Sequence, residues 1–253
     1  MTLEIDPTLL VGFFYALVRT GAWIAIAPPF SSSAIPVRAK VAVSASMSLV
    51  LAPSFEGGPD VLDTAPFLAG LVYQAVVGLV LGFGVLLLFS AVQAAGQMID
   101  LSAAFSSATM YDPFSNAASS PIGRLYQMMA ITILFVIDGH LMLVRGLLAS
   151  FEAAPLGGLQ LDSVAAFLVR DVTTFFVAAV QIAFPMLAAL FLAEVALGLL
   201  SRAAPQLNIL VIGFSAKILL VLLLGGLALA VLPGSVERLV EQILSSQRQW
   251  FGG

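Results

Sequence analysis

Six long apolar stretches, separated by short polar segments, dominate this chain and constrain what it can fold into. They cover residues 9–27, 41–52, 66–95, 125–151, 164–200 and 207–232. An α-helix needs about 20 apolar residues to cross the roughly 30 Å hydrocarbon layer of a bilayer. Only 9% of the 253 residues are charged, against about 25% in soluble domains. We therefore predict an all-α, polytopic membrane protein of about six hydrophobic helices.

The six stretches are uneven in length. The second is too short for a crossing, and the fifth would be about 55 Å long as one helix at 1.5 Å per residue. We expect Pro185 to kink this fifth helix, and Arg170 and Asp171 to mark where it leaves the apolar layer. Uneven lengths favour helices that pack on other protein chains over six regular spans in lipid.

The composition and motifs exclude several function classes. The chain has no cysteine, one histidine and ten scattered Lys and Arg residues, so it offers no thiolate site, no histidine cluster and no basic patch for nucleic acid. Sequences typical of metalloproteases, serine hydrolases and P-loop proteins are missing. We expect no enzyme activity, no cofactor and no metal site.

Two charges lie deep in neighbouring apolar stretches. Glu194 precedes and Lys217 follows a turn centred between Pro205 and Gln206, each by the same number of residues. Antiparallel helices would bring them to similar depth, where each could neutralise the other, because an unpaired charge at the bilayer centre costs roughly 2.5–3.5 kcal/mol. A structural salt bridge and a transport site both fit this pair.

Other polar groups within apolar stretches allow several interpretations. Arg19 could snorkel to the interface, face a water-filled channel or contact a carboxylate of another subunit. Asp138 and His140 suggest either a helix bend where polar groups meet a neighbouring chain, or a proton relay.

The long polar insertion at 97–124 has the composition of a loop but carries the bulky residues Phe105, Met110, Tyr111 and Phe114. It could be a surface connection, or it could fill a cavity or pore.

The C-terminal residues change character after Pro233 and Gly234. Apolar residues then recur at helical spacing, which predicts a separate amphipathic helix with Ser235 as its N-cap. Such a helix either lies at the membrane interface or docks on a partner. Its apolar residues are Val236, Leu239, Val240, Ile243 and Leu244.

The segment 197–208 resembles the signature of the FliR family, the flagellar biosynthetic proteins of the type III export gate, whose injectisome counterpart is the T component. Its specific part is Pro205, Gln206, Leu207 and Asn208, followed by Gly213, Phe214 and Lys217. Ser215 and Ala216 depart from the family, where proline is the familiar choice. Further landmarks in family order are Pro28 to Phe30, Ile35 to Lys40, Gly96 to Asp100, Asp112 with Pro113, Gly139 with His140, Ser150 with Phe151, and Pro155.

The resemblance implies a helical hetero-oligomer in the bacterial inner membrane at the flagellar basal body. In that family, several FliP and FliQ chains join this subunit in a channel for unfolded flagellar proteins, with FlhB wrapped around its entrance and FlhA nearby. Residues 1–160 would be FliP-like, and 161–253 would form a FliQ-like hairpin with a C-terminal amphipathic helix.

The resemblance also implies roles for two segments. The loop at about 106–121 would plug the closed channel, with Phe105, Ser106, Met110, Tyr111, Asp112, Pro113 and Phe114. Pro205, Gln206, Leu207 and Asn208 would lie near the cytoplasmic entrance. An injectisome T component is the alternative. A secondary transporter is disfavoured, because the two halves lack matched segments broken by Gly and Pro.

Overall fold

The computed structural model describes residues 7–55, 64–104, 120–154, 161–206 and 208–250. These residues form helices and no strands, which confirms the all-α prediction. The elements are α1 (Pro7–Ile26), α2 (Val37–Leu51), a short 3-10 helix (Ala52–Phe55), α3 (Thr64–Ser102), α4 (Pro121–Val136), α5 (Gly139–Ala153), α6 (Leu161–Ala203) and α7 (Ile209–Trp250).

Four of these helices, α1, α3, α6 and α7, are long and apolar enough to cross a membrane, and α4 with α5 could supply a fifth, broken span. The break follows from the backbone at Asp138, whose φ of 55° is left-handed and interrupts the helical hydrogen bonds. Leu141 N then donates to Asp138 O at 3.0 Å as α5 begins. The predicted helix bend at Asp138 is therefore confirmed.

Helices α6 and α7 contain 43 and 42 residues, or about 64 Å at 1.5 Å per residue. Each is roughly twice the thickness of the hydrocarbon layer, and each continues through an internal proline, Pro185 in α6 and Pro233 in α7. Ends of both helices must therefore lie outside the hydrocarbon layer if they cross it.

The prediction of a separate C-terminal helix is wrong. Ser235 does not cap a helix; its hydroxyl donates to Val231 O at 3.1 Å within α7. Four of the five residues of the predicted apolar stripe are buried, with Val236 and Val240 at most 1% exposed, and Leu244 is partly buried. Burying such a side chain contributes on the order of 1.5–3 kcal/mol, so several of them offset the roughly 3 kcal/mol cost of an internal proline.

The chain divides into two compact units. The first contains the described residues of Met1–Leu87, Asp138–Val172 and Val240–Gly253. Its aromatic core joins Tyr15, Phe55 and Phe151, with ring centroids 5.7 and 5.8 Å apart in edge-to-face geometry. A second cluster in the same unit packs Val80 and Phe167 with Trp250.

The second unit contains the described residues of Leu88–Ile137 and Thr173–Leu239. It holds the C-terminal part of α3, α4 and the turn that joins α6 to α7. Both segments that the sequence singles out for function, the polar insertion and the hairpin tip, therefore begin and end in this unit.

Candidate functional site

The seven residues predicted for the plug, from Phe105 to Phe114, lie outside the described residues, and so does Leu207 at the hairpin tip. The two ends of the polar insertion are described. Helix α3 ends at Ser102, Ala104 follows with a φ of 63°, and α4 begins after Ser120.

Asp100 joins these two ends. Its side chain is 1% exposed, and its Oδ2 accepts hydrogen bonds from Ser120 Oγ, from Ile122 N at 3.0 Å and from Gly123 N at 3.2 Å. Ser120 is the N-cap of α4 and accepts from Gly123 N at 2.9 Å. A carboxylate at a helix N-terminus satisfies free amides and favours the helix dipole. We call Asp100, Ser120, Ile122 and Gly123 the loop clamp.

A close helix approach makes the loop clamp possible. A Cβ added at Gly96 of α3 would lie 2.6 Å from Gly123 Cα. This is too close for a real contact, and the backbone of α4 would have to move to relieve it. Only glycine at position 96 lets the start of α4 come within reach of Asp100.

We expect Asp100→Ala to destabilise the first turn of α4 by about 2 kcal/mol, a typical upper value for losing a helix cap. Hydrogen exchange of a peptide covering 120–125 in the full-length chain would then quicken roughly 30-fold. Asp100→Asn keeps an acceptor oxygen and should have a smaller effect. Ser102→Ala is the matched control, because Ser102 Oγ donates to Met98 O within α3. Unchanged exchange in Asp100→Ala would contradict the loop clamp.

The hairpin tip is exposed where it is described. Pro205 and Gln206 form a turn, and Asn208 O accepts from Val211 N and Ile212 N at 3.2 Å as α7 begins. Further along the hairpin, Lys217 Nζ lies 3.3 Å from Glu194 Oε1. The lysine side chain is 15% exposed and the glutamate 68%, so its own chain leaves the glutamate side chain largely uncovered.

Arg19 lies in none of the three environments suggested by the sequence, which are the membrane interface, a water-filled channel and a carboxylate of another subunit. It is fully buried in the first unit, where its Nε donates to Gln74 Oε1 at 2.6 Å. Its two terminal nitrogens donate to Ser150 O at 2.6 Å and to Ala154 O at 2.5 Å. The guanidinium also lies over the Phe151 ring, 4.4 Å from its centroid.

Arg19 therefore caps the C-terminal end of α5. The last carbonyl groups of a helix lack partners and carry negative partial charge. A planar guanidinium can reach several such acceptors at once, which explains how this charge is buried without a carboxylate. The arginine ties α1, α3 and α5 together.

The two other polar residues that the sequence singles out, Asp138 and His140, lie at the start of α5. Asp138 is exposed and His140 is partly buried. Within the described ranges, no three His, Asp or Glu residues come close enough to hold a metal ion.

The sequence reasoning missed the roles of three residues. For Gln74 the signal in the sequence is its amide within an apolar stretch, although Gln93 lies in the same stretch. In the sequence, Asp100 stands out only as the end of the landmark Gly96 to Asp100. Asp171, which we expect to mark where α6 leaves the apolar layer, is also buried at 7% exposure and accepts a hydrogen bond from Ser246 of α7. The sequence gives no sign of this contact, because Ser246 is 75 residues away.

Comparisons with known proteins place this sequence in a family. Residues 10–243 match the family described as bacterial export proteins, family 1. The chain is 35% identical over 204 residues to the flagellar biosynthetic protein FliR of Escherichia coli, covering 80% of this chain and 78% of that protein. It is 29% identical to the Bacillus subtilis FliR, covering 83% of each. It is also 27% identical to the Yop proteins translocation protein T of Yersinia pestis, covering 82% of each.

Proposed function

The chain belongs to family 1 of the bacterial export proteins, and we propose that it assembles with FliP and FliQ chains into the channel of a flagellar type III export gate. It is a membrane-embedded component of a type III export apparatus, similar over most of its length to FliR proteins. The proposal adds three points: the partner chains, a location in the bacterial inner membrane at the flagellar basal body, and unfolded flagellar proteins as the exported substrates.

One observation carries this proposal: the hairpin of α6 and α7 leaves its apolar surface uncovered. Only 33% of the most apolar window of α6 and 17% of that of α7 is buried within the chain. Leu222, Leu223 and Leu227 are each about 70% exposed (70%, 70% and 69%).

Glu194 indicates that protein, rather than lipid alone, covers this surface. Its carboxylate is mostly exposed among apolar neighbours such as Leu192 and Val195. In hydrocarbon a charge is costly and normally faces protein or a watery cavity. Neighbouring subunits would supply that environment, and the pair with Lys217 would help hold the hairpin in one register.

Photo-crosslinking tests the assembly. A photoreactive amino acid at Leu222, which is 70% exposed, is expected to crosslink to a second export protein in native membranes. The matched control is the adjacent Val221, which is 5% exposed and should give little or no crosslinked product. Mass spectrometry of the product identifies the partner. Crosslinks at position 222 to lipid alone would contradict the proposed packing.

The polar insertion is proposed to plug the closed channel. The loop clamp supports this role, because it fixes both ends of the segment 105–119 at one place. The segment itself combines small polar residues with Phe105, Met110, Tyr111 and Phe114. Bulky apolar side chains can close a narrow lumen, as hydrophobic constrictions do in channels, and a loop can be displaced without disrupting a core.

The other assignments from the family resemblance are part of the same proposal. The exposed turn at Pro205 and Gln206, with Asn208, would meet FlhB at the cytoplasmic entrance, with FlhA nearby. Residues 1–160 would correspond to a FliP-like part and 161–253 to a FliQ-like part, which the antiparallel contact of α6 with α7 supports.

A second candidate function is the same role in an injectisome. The similarity to the Yersinia pestis translocation protein T favours it, but the FliR proteins of E. coli and B. subtilis are more similar in sequence. Deleting the gene would separate the two, since loss of motility without loss of effector secretion supports the flagellar role.

A further inference from the structure

Asp171 is a buried carboxyl group that the proposed export function does not use. It lies on α6 in the first unit and is 7% exposed. Its Oδ1 accepts a hydrogen bond from Ser246 Oγ of α7 at 2.8 Å. Its Oδ2 is buried and has no hydrogen-bond partner among the described residues. This carboxyl is therefore held by one neutral donor.

The unpartnered oxygen lies against the bare backbone of α3. A Cβ added at Gly84 would be 3.4 Å from Asp171 Oδ2 and 3.7 Å from Ile243 Cγ2. Position 84 is a glycine and therefore offers the carboxyl no side-chain donor. The three helices α3, α6 and α7 meet at this point.

The residue after Ser246 on α7 carries a second buried acceptor without a donor. Gln247 is 5% exposed, and its Oε1 has no hydrogen-bond partner within the described ranges. A Cβ added at Gly146 of α5 would lie 2.9 Å from this oxygen. Buried polar atoms without partners are rare in native proteins, and each one calls for an explanation.

Arg170, the neighbour in sequence, attracts an ionised Asp171. Its side chain is exposed and donates to Gln249, so solvent screens this attraction. Arg145 on α5 and Glu241 and Arg248 on α7 have exposed side chains, and α3 carries no charged residue between 80 and 88. An ionised carboxylate in such a place costs several kcal/mol.

We propose that Asp171 is a proton-binding site whose protonated form holds the C-terminal end of α7 against α3 and α6. A bound proton removes the charge and gives the carboxyl a donor. Loss of the proton leaves a buried charge with a single neutral partner, and separation of α7 lets water reach it. The docked form is favoured at low pH and weakens as pH rises, because docking and proton binding are linked.

Infrared spectroscopy tests the protonation state. We expect the full-length chain in detergent to show, at neutral pH, the carbonyl stretch of a buried carboxylic acid, and Asp171→Asn to remove it. The matched control is Asp138→Asn, which removes an exposed carboxyl and should leave that band unchanged. Ser246→Ala keeps the carboxyl but removes its hydrogen bond, so the same band should shift; this variant keeps the test valid if Asp171→Asn does not fold.

Trp250 reports the docking itself. It lies at the end of α7 with its ring 5.3 Å from that of Phe167 on α6, and Trp23→Phe makes it the sole tryptophan. Its fluorescence is expected to change as pH rises in this background, and Asp171→Asn, which is neutral at every pH, should abolish the change. An acid band that survives Asp171→Asn, or a fluorescence change that persists in it, overturns the proposal. Undocking of Asp171→Asn at every pH also overturns it, since the ionised form would then be the one required.

Discussion

Replacing Arg19 with alanine is expected to lower the free energy of unfolding by about 3–5 kcal/mol, the range for removing one member of a buried charged network. The variant removes the donor that Arg19 supplies to Gln74 Oε1 and to the carbonyl oxygens of Ser150 and Ala154, although Ser150 O keeps its hydrogen bond from Ala154 N. Each such loss costs about 1–3 kcal/mol. Thermal unfolding of the full-length chain in detergent should show a midpoint about 10 °C lower.

Two further variants separate the charge of Arg19 from its geometry. Arg19→Lys keeps the positive charge but replaces the planar fork by one ammonium group, so its unfolding midpoint should fall between wild type and Arg19→Ala. Arg38→Ala removes an exposed arginine of α2 and should leave the midpoint unchanged. If Arg19→Ala unfolds at the wild-type temperature, the carbonyl groups at the end of α5 do not depend on this side chain.

Helix type and approximate helix position could be predicted from the sequence because they depend on local composition. Five of the six apolar stretches each lie mainly in one helix, and the stretch 125–151 is split into α4 and α5 at Asp138, a visible polar interruption. The approach of Glu194 to Lys217 could also be anticipated, since both lie on one hairpin and their separation from its turn can be counted.

The partners of Arg19 and Asp171 could not be predicted in the same way. Arg19 bonds residues 55 and 131 positions away, and no periodicity within one helix identifies such contacts. The continuation of α7 through Pro233 could not be predicted for a similar reason. Local propensity favours a break there, while burial of the distant stripe from Val236 to Ile243 stabilises the continuous helix.

The loop clamp limits which residues of the proposed plug can be deleted without damage to α4. Ser120 caps α4 and contacts Asp100, so deleting it would destabilise α4 as well as remove the loop. Replacing 106–119 by a short Gly-Ser linker leaves both anchoring ends intact. The assembled gate in a planar bilayer is then expected to conduct ions at least on the order of tenfold better, the change that follows when a barrier falls by about 1.4 kcal/mol.

A length-preserving variant tests whether the large side chains close the lumen or whether a loop of this length is sufficient. Serine at positions 105, 110, 111 and 114 removes the large side chains of Phe105, Met110, Tyr111 and Phe114 and keeps the chain length. If these side chains close the lumen, this variant leaks like the linker variant, because hydrophobic constrictions block ions by excluding water. The control replaces the segment 56–63 by Gly and Ser at equal length. If the gate with the Gly-Ser linker assembles normally and conducts ions no better than wild type, the segment 106–119 is not a plug.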